Sequence, residues 1–174
     1  MAVIHYAYQI AQAGFEAAVE TIKVGVTERE IAAEIESAMR RAGAEGTGID
    51  TIVASGPHSR PILARSTFRQ VQNNEIVLLT IAPRYEGYHA AIGRPVLVGN
   101  PGQEIEHALE VACQAQEACY QAMRPQHEGR EVEAIGRKIG EEAGLGSYFL
   151  YSGVHSLGDL SLSRPFLSRA APPL

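Results

Sequence analysis

The sequence predicts an α/β chain of the α+β kind, and three observations carry that expectation. Residues 2–22 place Val3, Ile4, Ala7, Ile10, Ala11, Phe15, Ala18, Val19 and Ile22 at helical spacing. Two apolar runs, 75–82 and 88–98, flank the polar Arg84-Tyr85-Glu86-Gly87 and read as a β-hairpin. The order helix, turn, acid-capped helix, glycine stop and strand occurs at 2–54 and again at 103–152, which reads as an internal duplication.

Each element has a local reason. After the first helix, Thr27 followed three residues later by Glu30 forms a capping-box pattern. The helix it opens carries Ile31, Ile35, Ala38 and Met39 and stops near Gly43. Thr51-Ile52-Val53-Ala54 reads as a short strand ended by Gly56-Pro57, and a loop rich in Arg, Ser and Pro follows. A hairpin turn centred on Tyr85 and Glu86 would pair Thr80 with Ala91 on one face. Asn100-Pro101-Gly102 breaks the chain before a long helix over about 103–123, which Arg124-Pro125 ends. Another helix opens near Gly129 and stops near Gly144, and Ser147 to Ser152 reads as a strand.

Composition narrows the function classes. The 174 residues suffice for one domain with a real core. A net charge of −5 argues against a nucleic-acid binder that relies on bulk charge. Arg60, Arg65 and Arg69 recur through one loop and read as solvated or partner-facing. No apolar run approaches a membrane span, and the N-terminal residues have helical periodicity rather than the pattern of a signal peptide. Cys113 and Cys119 lie six apart on one helix, a rotation of about 240°, so they read as unpaired, core or half-buried thiols in a reducing, cytoplasmic setting.

Generic catalytic motifs are scarce. There is no GxSxG, P-loop or CxxC, and Gly43 to Gly48 does not follow a strand. Glu104 and His107 have i, i+3 spacing but no partners and read as a solvated face. Ser55, His58 and Ser59 share a loop without an evident acid, so no serine nucleophile is expected. Glu133, Glu141 and Glu142 fall beside Arg137 and Lys138 as a salt-bridged helix face. His155, flanked by glycines after a strand, reads either as a site residue or as a histidine satisfied by backbone.

VGVTEREIAAEIESAMRRAGAEG, TIVASGP, IVLLTIAPRYEGYHAAIGRPVLVG, AGLG and GVHSLG, in that order and over nearly the whole chain, resemble the methionine aminopeptidase, Xaa-Pro peptidase and creatinase family. The resemblance implies the pita-bread fold, a pseudo-symmetric domain with helices outside a curved antiparallel sheet. It implies one domain over 1–174, with repeats at about 2–98 and 101–166 and a Pro-rich tail at 167–174. The second repeat reads as truncated by about one hairpin.

In the family's peptidases, two divalent metals held by two Asp, one His and two Glu activate a water. Carried over residue by residue, the two Asp positions fall on Thr80 and Ala91 and the ligand His on His155. Two catalytic His positions fall on Leu63 and Leu162, and the two Glu positions fall beyond residue 174. Thr80, Ala91 and one imidazole do not make a hard-metal site, so no metal and no cofactor are expected.

These substitutions lead to the expectation of a metal-independent, repurposed domain that binds a small-molecule or peptide-like ligand. Leu63, Thr80, Ala91 and Leu162 would line the former cavity with His58, Tyr88 and Arg94. His155 would serve as acid or base with Asp159 orienting it. The alternative expectation is a non-catalytic interaction protein, and an active metal-dependent aminopeptidase or prolidase ranks last. An open sheet edge would favour a homo-oligomer, a dimer, or cover by the tail. No nucleic acid and no membrane are expected as partners.

Overall fold

The computed structural model describes residues 2–61, 63–125 and 127–149, which fall into two compact units, 2–101 and 102–149. In the first unit, helix α1 (Ala2–Thr21) packs against helix α2 (Glu28–Arg41). The capping box at the start of α2 is formed. The Thr27 hydroxyl accepts from the Glu30 amide at 3.2 Å, and the Glu30 carboxylate accepts from the Thr27 amide at 2.8 Å. The helix ends where Gly43 takes φ +105°, which lets the Ala44 amide reach back to the Met39 carbonyl at 3.0 Å.

Strands β1 (Gly46–Thr47), β2 (Ile52–Ser55), β3 (Glu75–Ile81), β4 (Pro83–Tyr85), β5 (Tyr88–His89) and β6 (Ile92–Val98) follow. They form two antiparallel sheets, ordered β2-β3-β6 and β1-β4-β5. Alternation gives the larger sheet two unlike faces. Val53, Val77, Leu79 and Ile81 are fully buried and cluster with Ile10, Ala18, Ile31, Ile35 and Met39 of the helices. Each such side chain contributes roughly 1.5–3 kcal/mol by its burial. Ile52, Ala54, Leu78, Thr80 and Gly93 occupy the opposite face, where Ile52 and Ala54 form a small cluster with Ala64. Among the described residues, a Cβ added at Gly93 would meet nothing within 4 Å, so they leave room in front of β6 on this face.

The hairpin register differs from expectation. The two turn residues are Glu86 and Gly87, at φ +47° and +77°, and Tyr85 pairs with Tyr88. Thr80 therefore pairs with Gly93, and Ala91 lies two residues away from that partner. A two-residue turn that follows the strands' right-handed twist needs positive φ at both central positions, and Gly87 accepts it without cost. Glu86 is held there by Glu45, whose carboxylate accepts from the Glu86 amide at 3.0 Å.

In the second unit, helix α3 (Gln103–Ala122) packs against helix α4 (Gly129–Glu142). The helices have lengths of 20 and 14 residues, as α1 and α2 do. A Cβ at Gly136 would come within 2.8 Å of the Cys119 sulfur, so the glycine permits the close approach of the two helices. Cys119 donates to the Val132 carbonyl at 3.2 Å. Both thiols are free, but Cys113 is exposed rather than core, because α3 buries its Val111 and Ala115 side instead. Arg137–Glu133 at 3.1 Å and Lys138–Glu142 at 3.7 Å form the expected ion pairs of α4. The strand expected from Ser147 begins instead as a 3-10 turn, Gly146–Tyr148, closed by the Tyr148 amide on the Leu145 carbonyl at 3.0 Å. Residues 150–152 of that expected strand lie outside the described residues.

Gly14 gives a direct test of the packing. A Cβ there would meet Met39 at 2.9 Å, Ile81 at 3.2 Å and Ile35 at 3.3 Å, all in the core. Gly14→Val should lower the urea midpoint by the equivalent of about 1–3 kcal/mol. Gly93→Ala, which faces open space, should stay within about 0.5 kcal/mol of the parent in the same titration.

Candidate functional site

The most heavily engaged polar side chain of the first unit is Glu28, the first residue of α2, which is 0% exposed. Its Oε1 accepts from the Ser55 amide and hydroxyl, both at 2.8 Å. Its Oε2 accepts from the Thr67 amide at 2.9 Å and hydroxyl at 2.7 Å. His58 Nδ1 lies 3.0 and 2.9 Å from the two oxygens. A carboxylate can only accept, so His58 carries its hydrogen on Nδ1. Burial alone would raise the Glu28 pKa, but the hydrogen bonds from Thr67, Ser55 and His58 outweigh it and hold the carboxyl at about 2.

One carboxylate thus ties both ends of the segment 55–67. The backbone repeats the connection: the Glu28 amide donates to the Arg69 carbonyl at 3.0 Å and the Arg29 amide to the Thr67 carbonyl at 3.1 Å. Two amides that α2 cannot satisfy internally are in this way satisfied by the loop. The sequence reading did not identify Glu28. Glu30 explains the cap by itself, and no local pattern links residue 28 to partners about thirty positions away.

Ser55 extends the network. Its hydroxyl donates to Glu28 and accepts from Arg69 Nη1 at 2.5 Å. Arg69 then grips Glu75 with two contacts of 2.7 Å, and the Gln72 amide adds a bond to Glu75 at 2.8 Å. Burial pushes the Glu75 carboxyl up, but Arg69 and the Gln72 amide bring it below its ordinary value. Arg69 is therefore not the solvated or partner-facing residue expected, because a buried carboxylate 8% exposed requires a cation nearby. Gly56, at φ +49°, is required here, since a Cβ would run into the Glu75 carboxylate.

The anchored loop walls a cleft of about 240 Å³ lined by Ile49, Asp50, Ile52, Leu63, Ala64 and Arg65. Leu63 is 74% exposed at this cleft. Thr80 is half-buried and pairs with Ile52 on one side and Gly93 on the other, so it adjoins the cleft through Ile52. Ala91 precedes β6 on the same side by alternation. His58 is turned to Glu28. Tyr88 is exposed in the smaller sheet, paired with Tyr85. Arg94 pairs with Leu79 and donates to the Gly93 carbonyl at 2.8 Å. His155, Asp159 and Leu162 lie outside the described residues. The sequence reading also passed over His89, which is 5% exposed and packs so closely on Gly48 that a Cβ there would come within 2.9 Å of its Nε2.

Thr80 offers one hydroxyl and Ala91 no donor at all. Glu104 and His107 are exposed, and among the described residues no group of three or more His, Cys, Asp or Glu could hold a metal ion. The described residues therefore do not fit a dinuclear metal centre, and no chemical step is assigned through one. Among them, too, no helix is long and apolar enough to cross a membrane.

A family profile described as metallopeptidase family M24 matches residues 2–173. The Xaa-Pro dipeptidase of Pyrococcus furiosus is 33% identical over 156 residues, covering 90% of this chain and 45% of its own length. That of Lactobacillus delbrueckii is 35% identical over 159 residues, covering 88% of this chain and 40% of its own length. The chain thus spans less than half the length of these relatives. Among solved structures, the prolidase from Pyrococcus furiosus superposes with a TM-score of 0.92 at 32% identity, over 94% of this chain and 49% of that one. An Xaa-Pro dipeptidase from Bacillus anthracis gives 0.92 at 31% identity, over 95% and 47%. The α/β architecture with antiparallel sheets is that of the pita-bread fold.

These likenesses overturn the expectation of a metal-independent, repurposed ligand-binding domain. The relatives that align along nine-tenths of the chain are named Xaa-Pro dipeptidases and the matching family is one of metallopeptidases. Two substituted strand positions remove donors, but they do not establish a different chemistry.

The Glu28 clasp makes a pH prediction. The folded carboxyl lies at about 2, below its ordinary value of 4.5. Its contribution is therefore complete above pH 4.5 and is lost as pH falls through 2, a difference of about 3 kcal/mol. Glu28→Gln should cost about that much at pH 7 by chemical denaturation, and the gap between variant and parent should narrow between pH 4.5 and 2. A gap of constant size over that window would rule out the charged carboxylate as its source.

Proposed function

Because the chain belongs to metallopeptidase family M24, we propose that it acts on Xaa-Pro dipeptides, its described residues forming the sheet face and loop wall against which the dipeptide lies. The observation that carries this reading is the likeness to Xaa-Pro dipeptidases over nine-tenths of the chain. The donors for such hydrolysis would come from residues outside the described ones, where His155 also falls. The described residues contribute shape and position: an open sheet face at Thr80 and Gly93, and an apolar cleft beside it.

The same reading treats the two units as halves of one pita-bread domain, with repeats at about 2–98 and 101–166 and a tail at 167–174. The matched helix lengths, 20 and 14 residues in each, support it. Free Cys113 and Cys119 support a reducing, cytoplasmic setting. A homodimer is the proposed assembly, favoured by the cost of leaving a sheet edge unpaired.

Proline release from Met-Pro and Gly-Pro, with manganese(II) or cobalt(II) added and Gly-Leu as control, tests the activity. Release of proline from the Xaa-Pro dipeptides, with Gly-Leu left intact, is the expected outcome. A chain that neither cleaves nor binds any Xaa-Pro dipeptide would refute the reading. A second measurement examines the hairpin. T80D combined with A91D puts two carboxylates on one side of the sheet, and should tighten manganese(II) binding at least tenfold in calorimetric titration, while either single change should have a smaller effect.

A further inference from the structure

The hydrogen bonds of β2 fix which way each strand of the larger sheet turns its backbone groups. The Val53 amide donates to Ser66 Oγ at 3.0 Å and the Ser55 amide to Glu28 Oε1 at 2.8 Å, so both point away from β3. Ile52 and Ala54 are therefore the residues that exchange bonds with Thr80 and Leu78 of β3. By the same alternation Leu79 and Val77 turn to β6, opposite Arg94 and Val96. Gly93, Pro95 and Leu97 are left to turn their backbone groups outward, and among the described residues no strand pairs with that side of β6.

We propose that the larger sheet is closed to strand addition at both edges, by Ser66 and Glu28 along β2 and by Pro95 and Arg94 along β6, so that a second copy of this chain does not pair there. The closure itself does not rest on the homodimer reading. What rests on that reading is a consequence: a homodimer that pairs a sheet edge must use the smaller sheet, β1-β4-β5.

Three features support the closure. On β2 the outward amides of Val53 and Ser55 are already taken, and the outward Thr51 carbonyl accepts from Ser66 Oγ at 3.3 Å. On β6, Pro95 has no amide hydrogen and stands at the centre of the outward row. It costs the β3–β6 ladder nothing there, but an incoming strand finds no donor at its midpoint. The outward Gly93 carbonyl beside it accepts from Arg94 Nη1 at 2.8 Å. The sequence of β6 also shows what the proline prevents. The strand reads Ile-Gly-Arg-Pro-Val-Leu-Val, with Leu97 40% exposed, and an apolar edge of that kind is a template for pairing with another copy. A symmetric pairing of two β6 strands would lose two donors, one from each proline.

Sedimentation equilibrium of the full chain under reducing conditions, which keep the exposed Cys113 from cross-linking copies, tests the proposal together with amide exchange followed by NMR. In the parent, the Gly93 and Leu97 amides should exchange freely at every protein concentration. Pro95→Thr restores two donors per pair of copies and should strengthen self-association roughly tenfold or more. The amides at 93, 95 and 97 should become protected in that variant as its concentration rises. Adding Arg94→Ala should strengthen the association about threefold further, since it frees the Gly93 carbonyl. Pro95→Ala restores the same donor with a smaller side chain and should behave alike, with circular dichroism checking that each variant folds. Protected Gly93 and Leu97 amides in the parent, or no gain in association from either substitution of Pro95, would overturn the proposal. A monomeric parent whose two amides exchange freely would support the closure and count against the homodimer reading.

Discussion

The first unit depends on a single buried carboxylate. Glu28 is the first residue of α2, a position where the helix dipole favours a negative charge. Ionised and out of water, it needs donors on every side, and Ser55, His58 and Thr67 supply them. The arrangement makes a long connection behave as part of the scaffold. A segment between β2 and β3 would ordinarily be free at the surface. Here its two ends are held to one side chain and its exit is held again by Arg69 on Glu75. The cleft beside Leu63 and Arg65 exists because that segment cannot swing away from Ile52.

The sheet divides structural from functional demands. The face of Val53, Val77, Leu79 and Ile81 is buried against α1 and α2 and tolerates little change. The opposite face, with Ile52, Thr80 and Gly93, carries few contacts and has room in front of Gly93. Thr80 and Ala91 lie on that side, so a change at either position leaves the core untouched, and a chain can keep its fold while the chemistry of this face changes.

Legibility in the sequence followed the range of the interactions. The helices, the capping box and the hairpin were readable because their signals lie within a turn or two of chain. The hairpin's centre lies one residue beyond the expected Tyr85 and Glu86, because Glu86 and Gly87 are the pair that takes positive φ. Arg69 was misread as solvated because its partner's burial is a tertiary fact. Glu28 was missed for the same reason: a buried acid looks no different in sequence from the exposed acids beside it. The expected cavity of Leu63, Thr80 and Ala91 combined positions that the strands place side by side only in part. Leu63 lines the cleft with Ile52, and Thr80 pairs beside Ile52 on the same face without being part of the lining.

The loop's anchoring and the cleft's chemistry are connected. A carboxylate buried without a dedicated Lys or Arg is tolerated only if rigid donors surround it, and Ser55 and Thr67 provide both backbone and hydroxyl hydrogens for that purpose. Those two hydroxyls are committed to the anchor: each donates to Glu28, while Ser55 accepts from the Arg69 guanidinium and Thr67 from the Arg69 amide. Arg69 is consumed as well, by Glu75. Arg65, in the same loop, makes a long and exposed contact with Asp50 that contributes little to the fold. Rigidity at the base of the loop and availability at its tip therefore have one origin: the strong donors are used to fix the backbone, and the guanidinium that fixes nothing is left facing solvent beside an apolar wall.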